Sequence, residues 1–384
     1  MSEFKGSIAQ VNVQFPIETV IEPIAGENYT RAMIFMPLSL ATVNLPGVDT
    51  PAAGMKIELD SSNYGSVTAD ALKKWLVPYF TSAQAAKLAV VIYDVDTTDT
   101  SGGEPVVVPA TFPIADAYEA YKYWAYFKFG FAASADYNAL QGTLATLCLA
   151  DPLYSQLWVG TSDADVLTKT SALISVLKGV NADARVIYNQ DSNINPALAQ
   201  LGDSLATANA TGTPVGNDID MHAFNTIGAS GALDADGNST NLNATQKAAL
   251  DDQFIGYQTW VGDGTQNVAT EGSMTLKGNV VGAQWVKCYI EYMCKVRCAN
   301  YITQRNKFRN NEQYQAILLI LSDVVRPFLA FGRLAEFKIT APVFSDLAVS
   351  ADSFIVPNAW QADFIDKLRS VTVYGTLYVT QPSK

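Results

Sequence analysis

The order of elements along this 384-residue chain predicts an α/β (α+β) fold in two parts. Three observations carry the expectation. Between residues 156 and 206 the pattern alternates strand, helix, strand, helix, which suits a sheet with crossover connections. The last third changes to long amphipathic helices followed by a strongly β-forming run. Finally, the charge is split. From Lys277 to Lys384 there are 13 Lys and Arg against 8 Asp and Glu, whereas the first 276 residues hold 12 against 29.

Residues 7–15 end in a clean alternation, with Val11, Val13 and Phe15 on one side and Asn12 and Gln14 on the other. With Ile8 they read as a strand or extended arm before Pro16. Short β-type runs follow at 31–36, 55–59 and 88–94. A helix over 68–77, capped by Thr68 and stopped by Pro78, turns Leu72, Trp75 and Leu76 inward. An aromatic-rich stretch, 115–131, reads as one helix packed into a core, and 135–150 as another capped by Ser134. Then come a strand at 156–160, a helix at 165–177, a strand at 185–188 and a helix at 196–206. Residues 212–243, dense in Gly, Asn, Asp, Ser and Thr, read as turns. A helix at 244–253 precedes a hairpin of 257–261 and 268–276.

In the last third a helix over 281–303 carries the apolar stripe Trp285, Tyr289, Tyr292 and Val296. A second helix starts at Asn311, carries Ile317, Leu321, Val324 and Val325, and stops at Pro327. The basic stretch Arg305-Asn306-Lys307-Phe308-Arg309 lies between them. A strand at 335–340, a short helix at 361–368 and a final β-run at 371–379, with Val371, Val373, Tyr374, Leu377 and Val379, complete the chain.

Composition narrows the function. Hydrophobic residues make up 49% and charged residues 16%, against about a quarter charged in ordinary globular chains. Repeated contacts with copies of itself suit such a surface, as does the surface of a secreted adhesin. The net charge of −12 argues against nucleic acid, which wants a basic face. The basic C-terminal part is suited to an acidic partner. No signal-peptide pattern opens the chain and no uninterrupted apolar run reaches bilayer length, so the expectation is a soluble protein made in a cytoplasm. Four cysteines are too few for a disulfide scaffold, and Cys288, Cys294 and Cys298 lack metal-site spacing.

Catalytic chemistry finds little footing. The single histidine, His222, sits in the loop-rich region with no nucleophile pattern beside it. Neither phosphate-loop nor dinucleotide fingerprints occur. Asp94, Asp96 and Asp99 follow a strand and would have to converge with other ligands to hold a metal. The run Asp234-Ala-Asp236-Gly-Asn238 has its glycine misplaced for a calcium loop, so both groups read as solvated turns. The chain is expected to be no enzyme and to need no cofactor.

The segment from Gly278 to Tyr292 (GNVVGAQWVKCYIEY), the helix at 316–325, Gly332-Arg333-Leu334, residues 360–370 and the run 371–379 follow an order that resembles the C-terminal core of contractile phage tail sheath proteins. R-type pyocin and type VI secretion sheaths are related. The resemblance implies a virion tail protein assembled in the host bacterial cytoplasm, polymerising with itself as stacked hexameric rings around a tail tube. It would meet tube, baseplate and terminator proteins, and contract without nucleotide or membrane insertion. It implies a discontinuous inner domain of residues 1–25 and 265–384, its small sheet completed by neighbours' arms, and an outer α/β domain of residues 26–264. Ile8, Val11, Val13, Phe15 and Val371, Val373, Tyr374, Leu377, Val379 would then be the intersubunit arms. Lys295, Arg297, Arg305, Lys307 and Arg309 would face the tube. A secreted or surface-layer adhesin is the alternative, and it should carry an export signal.

Overall fold

A computed structural model of the chain describes residues 27–41, 45–82, 86–100, 105–211, 223–224, 229–232, 234–235, 240–261, 267–272, 274–302, 311–330, 334–341, 343–346 and 360–364. The fold is mixed α/β. Strand β1 (Arg31–Pro37) is buried along nearly its whole length and sorts its side chains strictly. Ala32, Ile34 and Met36 enter one core, Met33 and Phe35 the other. Such continuous apolar runs mark strands of a parallel sheet covered on both faces. By contrast β2 (Lys56–Leu59) alternates, with Ile57 and Leu59 inward, as suits an edge strand guarded by charge.

Helix α1 (Asp70–Ser82) runs through Pro78 rather than stopping before it. The residues beyond the proline, Tyr79 and Phe80, are buried, and their packing outweighs the lost helix hydrogen bond. After α1 come β3 (Lys87–Tyr93) and a ribbon of β4 (Thr97–Asp99) and β5 (Val106–Val108), whose three valines are exposed. The aromatic stretch expected to be one helix is two elements, α2 (Ile114–Tyr121) and the fully buried strand β6 (Phe127–Gly130). Helix α3 (Ser134–Ala150) has Ser134 as its first residue and no side-chain cap. Strand β7 (Gln156–Thr161) follows.

The helix expected at 165–177 is broken. A 3-10 turn at Ala164–Thr168 ends at Lys169, whose φ of 62° is left-handed, and α4 (Ala172–Gly179) restarts on a Ser171 cap. Strand β8 (Arg185–Tyr188), α5 (Pro196–Thr211), the two-residue β9 (Ala223–Phe224) and α6 (Ala244–Asp251) come next. Asn243 and Gln246 cap α6 reciprocally, each side chain accepting from the other's backbone N–H. The hairpin is β10 (Gly256–Val261) and β11 (Asn267–Glu271).

The sheet order is β2-β3-β1-β6-β7-β8-β10-β11-β9. The six strands from β3 to β10 are parallel, β2 and β11 run antiparallel to them, and β9 pairs antiparallel with β11 at the margin. The first strand is followed by β3 on one side and then β6 on the other, so the topological switch lies between β1 and β6. Doubly wound sheets often hold ligands beyond the strand ends at such a point. Here Phe131, just past β6, is buried and meets the Trp75 ring edge-on at 4.9 Å.

Helices α2, α3, α4 and α6 cover one face of the sheet. On the other, α1 and α5 pack beside the C-terminal helices α7 (Val281–Ile302) and α8 (Asn311–Ala330). Where α1 crosses α5, a Cβ on Gly202 would lie 2.7 Å from the Tyr79 carbonyl oxygen, so only glycine permits that approach. Helix α8 also continues past its proline. Pro327 lies on the exposed side near the helix end, while Phe328 behind it is buried against Tyr289. The chain then forms β12 (Leu334–Ile339) and β13 (Trp360–Phe364), a separate antiparallel pair. The short helix expected at 361–368 is therefore a strand over its first four residues, held by the ladder to β12.

Lys128 interrupts the middle of the sheet. Its Nζ donates to Lys122 O (2.8 Å) and Ala125 O, and lies 5.9 Å from the Tyr118 ring centroid. Burial pulls the amine down to about 7, against the smaller opposing pull of Cys148 and Asp151. An unfolded lysine stays protonated to about 10.4. Between these values the unfolded chain binds the extra proton, so stability rises with pH. Relative to Lys128→Met, the wild-type protein should gain ~2–3 kcal/mol between pH 7 and pH 9. Urea unfolding of both proteins at each pH checks this, and parallel curves would refute the buried neutral amine.

Candidate assembly surfaces

Helix α7 buries the stripe its sequence predicts, and part of the opposite side as well. Trp285, Tyr289, Tyr292 and Val296 are buried, as are Cys288, Cys294 and Cys298. All four cysteines are free and buried. Burial pushes the thiols of Cys148 and Cys288 up to about 12, which makes them packing residues rather than nucleophiles.

The buried side of α7 meets the start of β1 through an aromatic cluster. Tyr29 stacks on Tyr126 with ring centroids 4.7 Å apart and meets Tyr289 edge-on at 5.4 Å. Trp285 stacks on Tyr289 at 5.2 Å, and its Nε1–H donates to Tyr29 O at 3.1 Å. The Tyr29 hydroxyl lies between the carbonyls of Leu153 and Cys288, 3.0 Å from the latter. Tyr29 and Trp285 are thus hydrogen-bonded as well as packed.

The basic residues of α7 are spread around the helix, Lys295 and Arg297 about 200° apart. Lys287 and Arg297 are exposed and Lys295 half-buried. Glu291 sits on the same helix between two of these lysines. Burial raises its carboxyl, and Lys287 and Lys295 oppose that rise. Of the basic residues expected to meet a tube, Lys295 and Arg297 therefore lie on one helix. Arg305, Lys307 and Arg309 fall outside the described residues, as do both terminal arms, with Ile8, Val11, Val13, Phe15, Val371, Val373, Tyr374, Leu377 and Val379.

The pair β12–β13 stands apart from the nine-stranded sheet. Its first strand buries Leu334 in the core with α8 and exposes Ala335, Glu336 and Lys338. A two-stranded sheet is marginal in water, and a third strand or a packing partner is what stabilises one.

The acidic groups close turns. Asp94 accepts from Val95 N, Thr111 N and Thr111 Oγ1, and Asp96 accepts from Ala110 N. Among the described residues no three His, Cys, Asp or Glu side chains are grouped to hold a metal. His222, Asp236 and Asn238 lie outside the described residues. No described helix is long and apolar enough to cross a membrane.

No family model matches the sequence, and neither does any curated protein. Solved structures do. A chain of the anti-feeding prophage helical sheath in its contracted state superposes with a TM-score of 0.58 at 11% identity, over 90% of this chain and 93% of that one. The chain has the fold of a sheath subunit. A chain in the baseplate structure of the same prophage superposes with a TM-score of 0.62, again at 11% identity, over 92% and 94% of the two chains. The sheath fold thus accounts for the doubly wound sheet and the C-terminal helices together, since both alignments span nearly the whole chain. The joint around Tyr29 left no mark in the sequence, because the nearest of its partners along the chain, Tyr126, is 97 residues away.

Proposed function

We propose that this chain is the structural sheath subunit of a contractile injection system, polymerising as stacked hexameric rings around a tail tube. The near-complete superposition on a helical sheath chain carries the reading. In it, contraction of the rings drives the tube through the host envelope, with energy stored in the extended polymer rather than in a nucleotide. The particle is a virion-like tail assembled in a bacterial cytoplasm, ending on baseplate and terminator proteins. Residues 1–25 and the chain after β11 form the inner domain and residues 26–271 the outer one, the expected break at 265 moving past β11 because that strand pairs with β10 in the nine-stranded sheet. Strand β11 completes the nine-stranded sheet before the chain turns into α7, so the passage between the two parts runs through residues 272–284.

The two terminal arms pair with neighbouring copies, adding strands beside β12–β13. Lys295, Arg297, Arg305, Lys307 and Arg309 face an acidic tube. A single surface ion pair contributes ~1 kcal/mol or less, so symmetry makes many weak contacts hold while each can still break and slide. The double variant Lys295→Glu, Arg297→Glu should keep its circular dichroism spectrum and lose assembly on its cognate tube protein. Undiminished sheathed tubes, counted by electron microscopy, would contradict the tube-facing assignment.

A further inference from the structure

The sheet and the C-terminal helices are joined at two places, the contact around Tyr29 and the passage of the chain between β11 and α7. The passage is held by two charged residues at the start of one strand. Asp183 accepts three side-chain hydrogen bonds, from Thr275 Oγ1 on one oxygen and from Asn279 Nδ2 and Gln284 Nε2 on the other, the last two at 2.9 Å. Two residues on, the buried Arg185 donates through Nη1 to Met274 O at 3.0 Å and through Nη2 to Gly272 O. Between them Leu276 N donates to Ala184 O at 2.9 Å. The carboxylate thus takes side-chain donors and the guanidinium takes carbonyls, which are the strong, charge-assisted kinds of hydrogen bond.

The segment is also tied to itself. Thr275 N donates to Asn279 O and Gly278 N to Thr275 O. Gly278 has a φ of +76°, which suits glycine in so tight a turn. Gln284, in the first turn of α7, carries the network onward. Its Oε1 accepts from Gln156 Nε2 at 3.2 Å, and Gln156 Oε1 accepts from Trp158 Nε1 at 2.9 Å in the middle of the sheet. The next residue, Trp285, is the one bonded to Tyr29. The passage and the Tyr29 contact therefore converge on the first turns of α7.

We propose that residues 274–284 are a strap that couples the C-terminal helix pair to the sheet, with Asp183 as its positioning residue. The strap makes the passage a rigid coupling rather than a hinge, so displacement of the helices carries the sheet with them. This rests on the geometry of one chain and is tested on unassembled full-length protein, so its failure is separable from failure of the sheath reading.

Hydrogen exchange followed by mass spectrometry reads the coupling. In Asp183→Ala, amides of 276–292 should exchange roughly tenfold or more faster than wild type, as loss of charge-assisted bonds implies, while β1, β3 and β6 keep their protection. Gln284→Glu should act in the same region by setting a second carboxylate against Asp183. Should Asp183→Ala not fold, Gln284→Ala and Thr275→Val each remove one bond and should give smaller increases confined to the same peptides. Unchanged exchange in 276–292, or equal loss throughout the sheet, would overturn the strap.

Discussion

Deleting residues 1–15 should leave a soluble, folded monomer that no longer polymerises. Residues 7–15 are rich in β-formers at a chain end, and an extended strand exposes N–H and C=O groups that need a partner. The separate pair β12–β13 has only two strands and gains from a further one. Pairing between copies joins subunits through tethers that survive a large rearrangement, which rigid side-chain interfaces would not. Trimming the chain after Thr372 should also abolish polymers, with some loss of solubility where the inner sheet loses an edge. Circular dichroism reports the fold and electron microscopy the polymer. Normal tubes from the N-terminally truncated chain would contradict arm exchange.

The largest single-residue effect on stability should come from Trp285→Ala. The indole is 1% exposed, stacks on Tyr289 and donates to Tyr29 O. Truncation opens a cavity, strands that carbonyl and loosens the joint of α7 with the sheet, a combined loss of ~3–5 kcal/mol. The half-buried Trp75, which keeps part of its surface in water, should lose less when replaced by alanine. Urea midpoints of the two variants decide the matter. A Trp285→Ala loss below ~1 kcal/mol would mean the aromatic joint does not hold the two parts together.

Much of the sheet was legible because β1, β3, β7 and β8 are apolar runs of strand length between turn signals. Helix α7 was legible through a stripe that needs no tertiary knowledge. Strand β6 was not. Phe127-Lys128-Phe129-Gly130 puts a lysine into a fully buried strand, and only the nearby carbonyls of Lys122 and Ala125 make that tolerable. Both prolines expected to end helices lie inside them, since packing of Tyr79, Phe80 and Phe328 rewards continuing. Lys169 breaks a helix at a left-handed φ that no glycine announces.

The assembly surfaces divide in the same way. The buried stripe of α7 follows from its own periodicity, whereas the strap is built from residues 92, 96 and 101 positions from Asp183. Nothing local marks them. Charge asymmetry pointed to the C-terminal part as a contact region but gave no partner geometry.

The sheath assignment meets its most direct test in cryo-electron microscopy of the purified full-length chain under assembling conditions. The expected result is hollow tubes of six-fold helical symmetry, with residues 7–15 of one subunit running as a strand against β12–β13 of another. Particles that stay monomeric, or filaments without a central channel, would contradict it.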